Sequence, residues 1–325
     1  MAAEPAPPGP GESALAPTSS GRIPFTIPST GDAAETYYMV WGSLDGRTAP
    51  LIVLHGGPGA AHNYVLRISL LHKHHGIPVV LYDQIGCGQS SHHPEYKGER
   101  SDIWSPALFV AELDNLRAAL GITSYSLLGQ SWGGMLAVEY ILAGKATGLQ
   151  KLVLSNSLAS MPLFMAGVQR LRDQLPADVQ ETLRRCEEEG RTDSPEYEAG
   201  MMVFYGRHVC RSAPMPDDMV ASLVQAKEDG TVYEIMNGPS EFHVVGSIKD
   251  WSAIDRLHRI TDAEVPGGVL VVNGAYDEAQ DEANRPFFQL IRAPVKWRTF
   301  GLSSHTPWLE EPEAFRREVG GFLTE

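Results

Sequence analysis

The chain has 325 residues, 43 % of them hydrophobic and 20 % charged, which is ordinary globular usage and excludes wholesale disorder or a fibrous repeat. That length suits two domain-sized units, or one core carrying an insertion. With 26 basic against 40 acidic residues the formal charge is −14, and such a field repels phosphate backbones and anionic bilayers, so no nucleic-acid or membrane partner is expected. The three cysteines, Cys87, Cys186 and Cys210, are too few for a disulfide framework and lack zinc-site spacing. No apolar run approaches twenty residues and the N-terminus does not read as a signal peptide, so a cytoplasmic protein is expected.

Residues 1–20 are mostly Ala, Pro, Gly and Ser, with little to bury, and are expected to form an extended or disordered tail. Strand-like runs follow at Tyr37 to Trp41, Leu51 to Leu54 and Val79 to Tyr82. The second is continuously apolar and ends in Gly and Pro, as a strand buried on both faces of a parallel sheet does. Ser105 and Pro106 open a helix whose apolar residues Phe109, Leu113, Leu116 and Leu120 recur at helical spacing before Gly121. A strand at Ser124 to Leu128, a helix at about Gly133 to Leu142 and a strand at Lys151 to Ser155 complete a β-α-β-α-β series, which requires a mostly parallel sheet with helices on its faces.

That rhythm stops over residues 158–249, where strand signals fade. Helices are predicted at about Ala177 to Glu189, after Ser194-Pro195, and near Pro216 to Lys227. Alternation resumes with strands at Gly268 to Val272 and Val295 to Phe300 and a helix at about Pro312 to Phe322. The expected fold is a doubly wound α/β core, residues 21–157 and 250–325, interrupted by a helical cap over 158–249.

Gly129-Gln130-Ser131-Trp132-Gly133 lies between a strand and a helix. A serine on so sharp a turn needs small residues two positions to either side, because the backbones come close together, and its hydroxyl then projects from the carboxyl end of the sheet. A serine hydroxyl requires a base, and the base an orienting acid, in the chain order Ser, Asp or Glu, His. Asp277, just past a strand, and His305, between the last strand and the last helix, meet that order. His55-Gly56-Gly57-Pro58-Gly59 follows an earlier strand; Gly57 and Trp132, the residue after the serine, are the expected backbone donors to a developing oxyanion. His72, His74 and His75, and His92 with His93, lack the spacing and carboxylates of a metal site, so solvated surface is expected there and neither metal nor organic cofactor is.

These motifs, with Asp83-Gln84-Ile85-Gly86-Cys87-Gly88-Gln89-Ser90 and Ser303-Ser304-His305 followed by Glu310-Glu311-Pro312, make the chain resemble the prolyl iminopeptidases of the α/β-hydrolase fold, in the branch with the tricorn-interacting aminopeptidase and the L-amino-acid amidases. The resemblance runs from about Gly21 onward. It implies Ser131 as nucleophile, Asp277 as orienting acid and His305 as base. It also implies Glu241, within Asn237-Gly238-Pro239-Ser240-Glu241-Phe242, and Glu278 as the carboxylates that hold the substrate's free amino group. Burying an ammonium beside the scissile carbonyl is costly unless carboxylates pair with it. The expected activity is that of a serine aminopeptidase releasing an N-terminal residue, proline favoured, from a small peptide or amino-acid amide. An amidase, esterase or lactonase of a specialised small molecule is the alternative, followed by a non-catalytic ligand-binding protein on the same fold. The cap's aromatics Phe164, Phe204, Tyr205, Tyr233 and Phe242 are candidates to line an apolar slot, and its acids Glu187, Glu188, Glu189, Asp193, Glu196 and Glu198 are expected to form a solvated face.

Overall fold

A computed structural model describes residues 5–98 and 100–325. Apolar residues alternate between two buried faces along each central strand: Ile52 and Leu54 enter one core while Leu51 and Val53 enter the other, and Val269 and Val271 divide likewise from Leu270 and Val272. A sheet with two apolar faces must be covered on both, and each fully buried Leu or Val contributes about 2 kcal/mol.

In chain order the elements are β1 (Ser19–Thr26), β2 (Ala33–Trp41), β3 (Leu51–Leu54), α1 (Leu70–His75), β4 (Val79–Tyr82), α2 (Pro106–Ala119), β5 (Tyr125–Gln130), α3 (Trp132–Leu142) and β6 (Leu149–Ser155). Helices α4 (Met161–Arg172), α5 (Ala177–Glu188), α6 (Pro195–His208), α7 (Asp217–Glu228) and α8 (Thr231–Met236) come next, before β7 (Val269–Gly274), α9 (Asp281–Leu290), β8 (Val295–Phe300), α10 (Pro307–Glu310) and α11 (Pro312–Thr324). The eight strands lie in the order β1-β2-β4-β3-β5-β6-β7-β8. β1, β2 and β4 pair antiparallel, and every pairing from β4 onward is parallel. This is the α/β-hydrolase sheet, doubly wound about β3. The loops leaving the carboxyl ends of β3 to β8 therefore converge on one edge, where open α/β sheets place their sites.

Helices α6 to α8 pack on that edge. Tyr64 N donates to Ser222 Oγ of α7 at 3.0 Å, and Arg67 pairs with Asp218. Glu278 N donates to the carbonyl of His208 at 3.1 Å. Helix α8 reaches further in: a Cβ on Gly59 would lie 3.5 Å from Val232 Cβ, and one on Gly86, 2.3 Å from Val232 Cγ2. Ser105 holds the N-cap position of α2, yet its hydroxyl donates to the carbonyl of Ile103 instead of capping the helix.

The N-terminal segment differs from the expected loose tail. Its first four residues lie outside the described residues, while Ser19 and Ser20 already belong to β1. Between them the chain runs along the surface and is fastened through its own carbonyls. Arg67 Nη1 donates to those of Pro10 (3.1 Å) and Glu12 (2.8 Å), and Trp41 Nε1 to that of Leu15 (2.8 Å). Trp41 is buried and Arg67 half-buried in the body of the fold, so nothing in the tail's composition announces these bonds.

Candidate active site

Ser131 stands between β5 and α3 with φ 52° and ψ −121°, a region that L-residues rarely enter and that is held by its surroundings. Two glycines make the turn possible. A Cβ on Gly129 would fall 2.3 Å from the carbonyl oxygen of Gly133, and one on Gly133, 2.0 Å from that of Leu54. The turn is pinned by Ser131 N donating to Ser155 O at 3.0 Å and by Ser157 Oγ donating to Ser131 O at 2.8 Å.

His305 reaches the edge from the loop after β8. Its Nδ1–H donates to Asp277 Oδ1 at 2.7 Å, and Asp277, wholly buried, also accepts from Ala279 N (2.9 Å) and Asn156 Nδ2 (2.6 Å). The loop carrying His305 is gripped on both flanks by buried Glu310, which accepts from Ser304 N (2.8 Å) and Ser304 Oγ (2.8 Å) and lies 3.3 Å from Thr306 N. Glu311 does the same for Leu302 N and Ser303 Oγ. An acid-oriented imidazole and a serine on a strained turn are the parts that acyl transfer uses.

The loop after β3 is built to offer backbone N–H groups. His55 is buried and held neutral, its pKa lowered to about 4 by burial. Its Nε2 accepts from Gln84 N at 3.0 Å, so Nδ1 carries the proton and donates to Gly56 O at 2.9 Å. Gly56 N is taken by Tyr64 Oη at 2.5 Å. Gly57 has φ 105°, and a Cβ there would meet Gly59 N at 2.6 Å. Trp132 begins α3, where the first amides have no intrahelical acceptor. The Gln84 side chain ties the two walls together, donating to His55 O (2.9 Å) and accepting from Trp132 Nε1 (2.8 Å).

Two more carboxylates face this centre. Glu278 is 2 % exposed, its Oε1 lies 3.5 Å from His305 Nε2, and its Oε2 has no partner among the described residues. Glu241, in the loop after α8, accepts from Tyr233 Oη at 2.7 Å. Burial raises the pKa of both, and the charge of Glu241 pushes Glu278 well above the usual carboxylate range. Glu278 is buried and Glu241 half-buried, and two carboxylates whose charges act on one another out of bulk water call for a cation. The aromatics divide: Phe164, Phe204 and Phe242 are buried core, whereas Tyr205 and Tyr233 are half-buried. The acids flanking α5 and α6 are matched by arginines, Glu188 by Arg184, Glu189 and Glu196 by Arg191, and Glu187 by Arg172. Among the described residues no cluster of His, Cys, Asp and Glu is suited to a metal.

Asn156 escaped the sequence reading. It follows β6 with φ 50°, and Nδ2 spans Asp277 Oδ2 and Ser304 O, 2.6 and 3.0 Å away. The only sequence signal is a polar run, Ser155-Asn156-Ser157, at a strand's carboxyl end. Asn156→Ala is expected to lower kcat by about 10- to 100-fold with KM little changed, because the orienting acid and the base's loop lose a common anchor. Steady-state kinetics on any accepted amide checks it.

Comparison with known proteins agrees with this geometry. The alpha/beta hydrolase fold family matches residues 49–312. The chain is 36 % identical over 279 residues to a proline iminopeptidase of Heyndrickxia coagulans, covering 86 % of this chain and 92 % of that one. The crystal structure of a proline iminopeptidase of Mycobacterium smegmatis superposes with a TM-score of 0.81 at 44 % identity, over 94 % of this chain and 98 % of that one. The crystal structure of VinJ does so at 0.87 and 43 %, over 95 % and 99 %. Sheet order, strained serine turn and sequence likeness over nearly the whole length agree: the chain belongs to the proline iminopeptidase family of the α/β-hydrolase fold.

Proposed function

We propose that this protein is a serine aminopeptidase that releases an N-terminal amino acid, proline favoured, from small peptides or amino-acid amides. The observation that carries the reading is the pair of acids beside the base: Glu278, with its unpartnered Oε2, and Glu241. A substrate's ammonium bonded to both puts the first carbonyl, and no later one, within reach of Ser131.

Ser131 Oγ attacks that carbonyl while His305 Nε2 takes its proton, and Asp277 holds the imidazole's tautomer and stabilises the imidazolium. The oxyanion forms against the N–H groups of Gly57 and Trp132. His305 then gives its proton to the leaving amine, and water releases the acyl group by the same steps in reverse. This needs neither metal nor organic cofactor. Among the described residues no helix is long and apolar enough to cross a membrane. The three free, buried cysteines fit a reducing compartment, and we assign the enzyme to the cytoplasm.

A panel of aminoacyl 4-nitroanilides with varied first residues tests the reading. Turnover of the prolyl compound, with the others slower, is the expected result. Turnover of amine-free esters or lactones, with no aminoacyl amide cleaved, would favour the small-molecule esterase instead.

A further inference from the structure

His305 has two ring nitrogens and the structure gives each a carboxylate. Nδ1 is bonded to Asp277 at 2.7 Å, as an orienting acid requires. Nε2 is the nitrogen that must take the proton of Ser131, and it lies at ion-pair distance, 3.5 Å, from Glu278 Oε1. Among the described residues no hydrogen bond joins it to Ser131. The same glutamate thus touches the base with one oxygen and leaves the other unpartnered.

We propose that Glu278 also gates the base. Before substrate binds, its carboxylate keeps His305 Nε2 protonated as an ion pair; the arriving ammonium group becomes its new partner, expels that proton and frees the imidazole. Amine recognition and base activation are then one event. The proposal rests on the reading of the site as one for an N-terminal amine, and it adds that the amine acts on the chemistry as well as on affinity. The balance is simple. Free enzyme carries one proton on Nε2 beside the Glu278 carboxylate; the substrate brings its amine already protonated; one proton leaves to solvent; Nε2 is left with a lone pair for the Ser131 hydroxyl.

The groups facing His305 agree in sign. Asp277 and Glu278 approach from the loop after β7, and Glu241, bonded to Tyr233, acts from the loop after α8. On the remaining side Gln130 Nε2 lies 3.4 Å from the backbone oxygen of His305. Burial alone would lower the imidazole pKa, yet the three carboxylates outweigh it and raise it to about 9. A protonated imidazole cannot act as base. A cation seated between Glu241 and Glu278 cancels much of the field that keeps the proton there.

Proton release on binding tests this directly. The Ser131→Ala protein is titrated calorimetrically at pH 7 with prolinamide in buffers of different ionisation enthalpy, and with cyclopentanecarboxamide, which has the same ring and no nitrogen in it. The proposal expects prolinamide to bind with release of about one proton per site. Prolinamide binding with no release, or with uptake, would overturn the proposal and leave the aminopeptidase reading standing. If prolinamide binds no better than the carbocycle, the amine site itself is wrong and both fall. A second arm uses Glu278→Gln: at pH 7 its kcat/KM on the amine-free 4-nitrophenyl cyclopentanecarboxylate should rise by about fivefold or more as the base is released, while prolyl amide turnover falls. An ester rate unchanged or reduced in that variant, with its fold intact by circular dichroism, would also count against the proposal.

Discussion

Replacing Ser131 by alanine is expected to lower kcat by at least about 10⁴-fold while moving Tm by no more than about 2 °C. The chemical half of this expectation follows from the absence of any other hydroxyl on the turn between β5 and α3. The structural half follows from what alanine keeps. It retains the Cβ that already tolerates φ 52°, and among the described residues the lost hydroxyl makes no hydrogen bond within the chain. The backbone contacts that pin the turn, Ser131 N to Ser155 O and Ser157 Oγ to Ser131 O, do not involve it. Steady-state assays and a thermal melt on the same preparation check both halves. Activity retained in a folded variant would remove Ser131 from the mechanism.

Glu241→Gln is the second large effect. The amide still accepts from Tyr233, so the shape of the loop after α8 is preserved, but a half-buried charge proposed to meet the substrate's ammonium is gone. Removing one partner of a buried ion pair costs about 3 kcal/mol or more, so kcat/KM for a free-amine substrate should fall by about 100-fold or more, chiefly through KM. For an amine-free ester the change on the high-pH plateau, where the base is already deprotonated, should stay within about threefold. The sign of the accompanying pH effect is fixed too. Glu241 is one of the three anions raising the His305 pKa; without it the imidazole loses its proton at lower pH, and the acid limb of the ester profile moves down.

The residues legible in the sequence were those whose constraint is local. Gly129 and Gly133 flank Ser131 because their Cβ atoms would strike backbone oxygens 2.3 and 2.0 Å away, and a steric demand two residues from the serine leaves a motif. Asp277 and His305 could be proposed because each must follow a strand, in a fixed order. Asn156, Gln84 and Glu310 left weaker traces. Their roles depend on which loops the strand order brings side by side, as when Asn156 of the loop after β6 meets Asp277 after β7 and Ser304 after β8. Of the fold, the buried strands β3 and β4 matched their expected spans, since a continuous apolar run between turn residues has few other uses. Strand β1 carries Pro24 and sits at the sheet's edge, where proline is tolerated and the strand signal is lost. Helix α8 is only six residues long, too short to show a period. Yet it holds Val232, which packs against the loops carrying Gly59 and Gly86, and Tyr233, which bonds Glu241.

In the proposed mechanism Glu241 and Glu278 select a free N-terminal amine at the first carbonyl of the substrate. Comparing kcat/KM for L-prolyl 4-nitroanilide with that for its N-acetylated counterpart at neutral pH tests this selection. The free amine is expected to be preferred by about 10³-fold or more, since acetylation removes the charge that Glu241 and Glu278 are proposed to meet and adds bulk against them. Equal values for the two compounds would contradict it.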